Sequence, residues 1–295
     1  MDPPGCLPPL KLIFPREPGC HLGKIVDPMS NNRIDRLFAD LRAKKRKALV
    51  AYLVAGDPDL DSTASLVPAL AEAGADLVEL GVPFSDPLAD GIVNQLGCQR
   101  ALESGTTLPK VLQLVARLRR EKCEIPLVLF TYYNPVFAYG REKFEKDAAQ
   151  AGADGLLLLD LPPEEADQDL PPSADLRRIV LVAPTTPESR LKEITCRASG
   201  FVYYVSREGV TGMQKSLPAT LSDRVALLQK NTALPVCVGF GISNPEQAGQ
   251  VAKLADGVVV GSAIVDRIGK IGRNPNLASE IGSFLRPIAA AVHTA

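Results

Sequence analysis

Glu79 stands between Val78 and Leu80 in the run DLVELGVP, where nearly every neighbour is apolar. In a strand, the period of two puts its side chain on the face shared with Leu77. An ionised carboxylate in such surroundings is costly, so it is paired, keeps its proton through a raised pKa, or is retained for chemistry. A structural salt bridge is the simplest of these. No Lys or Arg occurs between Glu79 and Arg100, which weakens a local pair without excluding a distant one. A little further on, the loop GVPFSDPLADG carries Asp86 and Asp90 among prolines and glycines. Aspartate in a turn commonly bonds nearby backbone donors, which accounts readily for Asp86 but less readily for Asp90. Two carboxylates at one rim can divide acid and base roles if their environments pull their pKa values apart. Asp160, followed by LPP, is at least as well read as a turn cap.

Imidazole cannot share this work, because the chain has two histidines, His21 in a Pro-rich head and His293 third from the end. That argues against Ser-His-Asp chemistry, Cys-His nucleophiles and His-ligated zinc. Cys6, Cys20, Cys98, Cys123, Cys196 and Cys237 are scattered with no CxxC pair, and they read as reduced, packing thiols. With 33 Lys plus Arg against 34 Asp plus Glu, the net charge of -1 gives no overall positive field for nucleic acid or an anionic membrane. A small anion can still be held by local donors. No apolar run approaches the roughly 18 residues of a spanning helix, the N-terminus lacks a secretory pattern, and a cytoplasmic location is expected.

The elements that must position these residues repeat. ALVAYLVAG, ADLVELGVP, IPLVLFTYY, GLLLLDLP, RIVLVAP, GFVYYVS, LPVCVGFG and DGVVVGSA are short apolar runs, each followed by a loop. Between or after them lie amphipathic stretches such as DSTASLVPALAEAG, LPKVLQLVARLRRE, REKFEKDAAQAG, EQAGQVAKLA and LASEIGSFLRPIAAAV. Strands alternating with helices imply a parallel sheet, and near-continuous apolar strands imply burial on both faces. The repeat predicts a single-domain α/β protein, a (β/α)8 TIM barrel with extra short helices, over residues 29–295. A doubly wound open sheet is the runner-up, but the turn after the first strand reads VAGDPDLDS where that fold has GxGxxG. Residues 1–28 hold seven of the 25 prolines and are expected to form a disordered tail, with Met29 a candidate initiator.

Active sites in such barrels lie at the C-terminal ends of the strands. Three Gly-rich segments follow the last three strands: REGVTG at 207–212, VGFGIS at 238–243 and VGSAIVDRI at 260–268. Late loops and a helix N-terminus commonly hold a phosphate there, which makes Gly212, Gly241, Gly261 and Ser262 candidate donors. Each segment alone is a weak signal, since Gly is the routine loop residue.

The string ELGVPFSDPLADG resembles the signature of the tryptophan synthase alpha chain family. AYLVAGDP, FTYYNPV, DGLLLLDLP, SREGVTG, GFGIS and GSAIV match further family motifs in order, over roughly residues 31–290. The resemblance implies retro-aldol cleavage of indole-3-glycerol phosphate to indole and glyceraldehyde 3-phosphate. It also implies no metal or organic cofactor, and a pyridoxal-phosphate beta chain as partner in an alpha2beta2 tetramer. It makes Glu79 the acid/base and Asp90 the partner of the indole N–H. It places Thr211 on a loop that closes toward Asp90, and Tyr52, Phe130, Tyr132, Tyr203 and Phe240 around the indole, where any of them could equally be core. There is a departure. After ADG the family usually has Pro and then a short run ending in an apolar residue before Gln, whereas this chain reads ADGIVNQ, so Ile92 and Asn94 alter the lining beside Asp90.

Two other functions compete. A catalytically weak regulatory subunit would fit the altered loop and the position of Asp86. A different phosphate-binding barrel isomerase or synthase is opposed by the lack of a His general acid and by the match at Glu79.

Overall fold

The computed structural model describes residues 31–162, 164–166, 175–205, 220–239 and 241–295. The expected tail over residues 1–28 and the boundary at Met29 lie outside them. Eight short strands, β1 (Ala48–Val54), β2 (Leu77–Gly81), β3 (Leu127–Thr131), β4 (Gly155–Leu158), β5 (Arg177–Val182), β6 (Val202–Val205), β7 (Val236–Gly239) and β8 (Gly257–Val260), close into a barrel in chain order. Every adjacent pair is parallel, and β8 returns to β1 with Gly257 opposite Ala48.

Alternation along each strand sorts the side chains as the period of two requires. On β1, Leu49, Ala51 and Leu53 point out and pack beneath the helices, whereas Ala48, Val50 and Tyr52 point into the barrel. The outer layer comprises α2 (Leu60–Glu72), α3 (Ile92–Glu103), α4 (Leu108–Arg120), α5 (Tyr133–Tyr139), α6 (Arg141–Ala151), α7 (Glu188–Thr195), α8 (Leu221–Asn231), α9 (Pro245–Ala252), α10 (Ser262–Ile271) and α11 (Leu277–His293). Among these, α4 shows most plainly why its sequence is helical. Its Leu and Val residues at positions 108, 111, 112, 115 and 118 form one buried stripe, and Arg117, Arg119 and Arg120 crowd the last turn, where the helix dipole favours positive charge.

The N-terminal end of the barrel is closed by α1 (Arg33–Ala43). Ile34, Phe38 and Leu41 pack against Val128, Leu157, Ile179 and Phe201, with the Phe38 and Phe201 rings 5.7 Å apart. Asn32 fixes this plug. Its side-chain oxygen accepts the Ile34 N–H at 2.9 Å, and its amide donates to the carbonyls of Asp154 and Asp175 at 2.8 and 2.9 Å. Asp154, buried beside them, pairs with Arg119 at 2.6 Å and Arg33 at 3.2 Å. His293 lies at this same end of β2, 2.9 Å from Asp76, far along the strands from the rim.

Candidate active site

Strand β2 delivers Glu79 into the barrel with no solvent exposure, in register with Tyr52 on β1 and Val128 on β3. Among the described residues, neither of its carboxyl oxygens has a hydrogen-bond partner. The distant salt bridge that the sequence left open is therefore absent among the described residues. Burial, with nothing to offset it, pushes the carboxyl up to about 8, so Glu79 carries a proton at neutral pH.

Asp90 is also buried, but its surroundings differ. The Tyr132 hydroxyl donates to Oδ2 at 2.8 Å and the Asn94 amide to Oδ1 at 3.2 Å. Burial raises the Asp90 pKa, and these two hydrogen bonds pull it back toward the charged form. The Tyr132 hydroxyl in turn accepts the Ala89 N–H at 3.0 Å, so one phenol ties the end of β3 to the loop after β2. Proximity to Asp90 adds to burial in raising the Tyr132 pKa, which keeps the hydroxyl a donor.

Two tyrosines line the interior beside these carboxylates. Tyr52 and Tyr203 are held neutral chiefly by burial, and the Asp90 carboxylate adds to this at both, so the two phenols share the interior with the carboxyls. Room for the phenols comes from glycine. A Cβ on Gly81 would sit 2.5 Å from the Tyr52 Oη, and one on Gly239 would sit 2.3 Å from the Tyr203 Oη. Phe130 meets Tyr52 edge-on at 4.9 Å. Cys98, also close by, is a packing thiol pushed up to about 11, mainly by burial.

The helix that follows the Asp90 loop is tied to the loop after β1. Arg100 on α3 forms two bonds of 2.8 and 2.7 Å with the fully buried carboxylate of Asp57, and Ser104 donates to the Gly56 carbonyl at 3.0 Å. A bidentate pair of this kind fixes orientation as well as distance. Asp57 gives no sign of this in the sequence, where AGDP reads as an ordinary turn. Asp86 is exposed, and it accepts the Ser85 hydroxyl at 2.5 Å. Asp160 accepts the Tyr133 N–H at 2.6 Å, so it reaches across to the first residue of α5 and does not cap its own turn by this bond.

Of the candidate phosphate donors, Gly241 adopts φ +62°, a conformation that favours glycine. Gly261 is the N-cap of α10, and Ser262 opens that helix directly after β8. The first amides of any helix lack intrahelical acceptors, so those of Ser262 and Ala263 are free to face an anion. Thr211, Gly212 and Phe240 lie outside the described residues. Among those described, no group of three or more His, Cys, Asp or Glu is placed to hold a metal ion. A cavity of about 300 Å³ lies elsewhere, against β4 and β5, lined in part by Glu145, Asp160 and Arg178. It contains neither Glu79 nor Asp90.

A closed parallel barrel of eight strands wrapped by helices, with two buried carboxyls in contrasting environments, defines the class: a (β/α)8-barrel protein. Comparison with known proteins narrows it. A profile of the family described as "Tryptophan synthase alpha chain" matches residues 38–292. The tryptophan synthase alpha chain of Geobacter sulfurreducens is 50% identical over 264 residues, covering 88% of this chain and 99% of that one. That of Opitutus terrae is 53% identical over 239 residues, covering 80% and 90%. The crystal structure of tryptophan synthase subunit alpha from Legionella pneumophila superposes with a TM-score of 0.80 at 37% identity, over 88% of this chain and 98% of that one. The structure of Mycobacterium tuberculosis tryptophan synthase gives 0.81 at 36% identity, over 89% and 98%. The chain belongs to the tryptophan synthase alpha chain family.

Proposed function

We propose that Glu79 and Asp90 divide between them the retro-aldol cleavage of indole-3-glycerol phosphate to indole and glyceraldehyde 3-phosphate, the reaction of this family. The observation that carries the assignment is the contrast between the two carboxyls. Glu79 is buried, unpartnered among the described residues and protonated up to about pH 8, whereas Asp90 is held by two donors that favour its charge. Glu79 gives its proton to C3 of the indole ring, and the positive charge that results on the ring nitrogen is stabilised by Asp90 through the N–H. The Glu79 carboxylate then takes the proton of the side-chain hydroxyl next to the breaking bond. As that oxygen becomes a carbonyl, the electron pair of the C–C bond returns to the ring and cancels its charge. Glu79 ends protonated, as it began, and the sum is one bond broken with no external acid, base or oxidant.

Tyr52, Phe130, Tyr132 and Tyr203 supply an apolar enclosure for the ring. Gly241, Gly261 and Ser262 supply main-chain donors for the phosphate. The beta chain is the proposed partner, in an alpha2beta2 assembly, with indole passing to it. Leu88, Ile92 and Leu96 beside Asp90, and Phe137 on the neighbouring α5, are large apolar side chains left exposed, and a partner over the mouth would cover them. Replacing Glu79 by Gln keeps the volume but cannot carry a proton. The Glu79→Gln chain is expected to keep its circular dichroism spectrum and lose indole formation by at least about 10²-fold. Near wild-type turnover would remove Glu79 from the mechanism.

A further inference from the structure

We propose that Asn94 is a positioning residue for this reaction: with the Tyr132 hydroxyl it clamps the Asp90 carboxylate, occupying one lone pair on each oxygen and leaving the remainder aimed at the ring N–H. The inference rests on the reading of Asp90 given above. Asn94 is the third residue of α3, four places after Asp90, and its Nδ2 donates to Oδ1 at 3.2 Å. Tyr132 holds Oδ2 from the far side at 2.8 Å. The next residue, Gln95, donates from its side chain to the Asp90 main-chain carbonyl at 2.9 Å. Two consecutive amides on the first turn of one helix therefore grip the carboxylate and the carbonyl of the same residue.

The other half of the Asn94 amide shows that packing alone does not account for this side chain. Its Oδ1 is buried with no hydrogen-bond partner among the described residues, a penalty that leucine or isoleucine at the same place would avoid. What asparagine provides there is its donor. The need for one follows from the groups around Asp90. Tyr132 after β3, Tyr52 on β1, Tyr203 on β6 and Cys98 on α3 all interact with its charge, Glu79 on β2 shares the interior, and every one of them is neutral at pH 7. No Lys or Arg pairs with Asp90 among the described residues. Burial pushes the carboxyl up, and the bonds from Tyr132 and Asn94 are what favour the ion.

The test uses the full chain with and without Asn94→Leu, followed in two ways. Carbon-13 NMR of labelled aspartate carboxyls reads the Asp90 titration directly, and the Asn94→Leu variant is expected to titrate about one pH unit higher. In parallel, the variant's kcat/KM for indole-3-glycerol phosphate, relative to wild type, should be lowest at acid pH, by at most the roughly tenfold that one pH unit allows, and climb toward 1 as rising pH ionises Asp90 unaided. A merely structural role would lower that ratio equally at all pH values. Asn94→Asp supplies a second variant of the same size, expected to raise the Asp90 titration further because it replaces a donor with a like charge. An Asp90 titration unmoved in both variants overturns the clamp. A titration that moves while the kcat/KM profile does not would overturn the role of Asp90 at the ring, and with it any catalytic purpose for Asn94.

Discussion

The proton on Glu79 links the site to the stability of the fold. Its carboxyl titrates at about 8 in the folded chain against an ordinary value of 4.5. Below 4.5 both states hold the proton and nothing is lost. As pH rises from there toward 8, the unfolded chain releases its proton while the folded chain keeps it, so the folded state loses stability across that window and the loss levels off above it. Glu79→Gln removes the effect. The variant should gain little at pH 4.5 and about 3 to 5 kcal/mol by pH 8.5, read from urea unfolding at the two pH values. An equal difference at both would mean that Glu79 is ionised in the folded protein. At this scale the two carboxylates were legible because a charge in an apolar strand and an Asp in a stiff loop stand out locally. Their partners were not. Tyr132 lies 42 residues from Asp90, and Asp57 is 43 residues from Arg100, separations that no periodicity brings together.

Among the elements, the strands depend on what they omit. Gly81 ends β2 and Gly239 ends β7, and each is a place where the barrel interior has given its volume to a tyrosine from the neighbouring strand. Gly81→Ala would put a methyl group within 2.5 Å of the Tyr52 hydroxyl, and that ring is wedged against Phe130 and Gly261. The substitution should cost about 1 to 3 kcal/mol and lower turnover as the ring tilts into the substrate space. An unchanged melting temperature with full turnover would show that Tyr52 has somewhere else to go. All eight strands could be read from their apolar runs, as could α2, α4, α6, α9 and α11 from theirs. α1 is legible too, from Ile34, Leu37, Phe38 and Leu41 at helical spacing, whereas α3, α5, α7, α8 and α10 were not read. In α3 just Gly97, Cys98 and Ala101 are buried, too small to form an obvious stripe, and α5 is a short helix of seven residues. The start of α10 looked like a loop because Gly261 is the one residue separating it from β8.

For the molecule as a whole, the count of eight strands was enough to predict closure, since eight βα units return the last strand to the first. What the sequence could not display is which surface the closed barrel leaves bare. Leu88, in the loop after β2, is 87% exposed and Phe137, on α5, is 60% exposed, with Asp86 exposed in the same loop as Leu88. If the beta chain sits there, the exposed Asp86 carboxylate couples the two subunits, and coupling between sites is reciprocal. Asp86→Ala should leave the isolated chain's own cleavage of indole-3-glycerol phosphate nearly unchanged. It should cut the stimulation that each subunit gives the other by about 1 to 3 kcal/mol, measured in both half-reactions. Full mutual stimulation would leave Asp86 as a residue that does no more than hold Ser85.

The helix plug at the opposite end has its own bearing on traffic. With Ile34, Phe38 and Leu41 packed against Phe201 and Val128, the floor of the barrel is closed among the described residues. Among the described residues, a molecule held beside Glu79 and Asp90 then has no exit through that floor, and its traffic falls to the opposite rim. A neighbour stationed at that rim would meet each departing molecule before the solvent does.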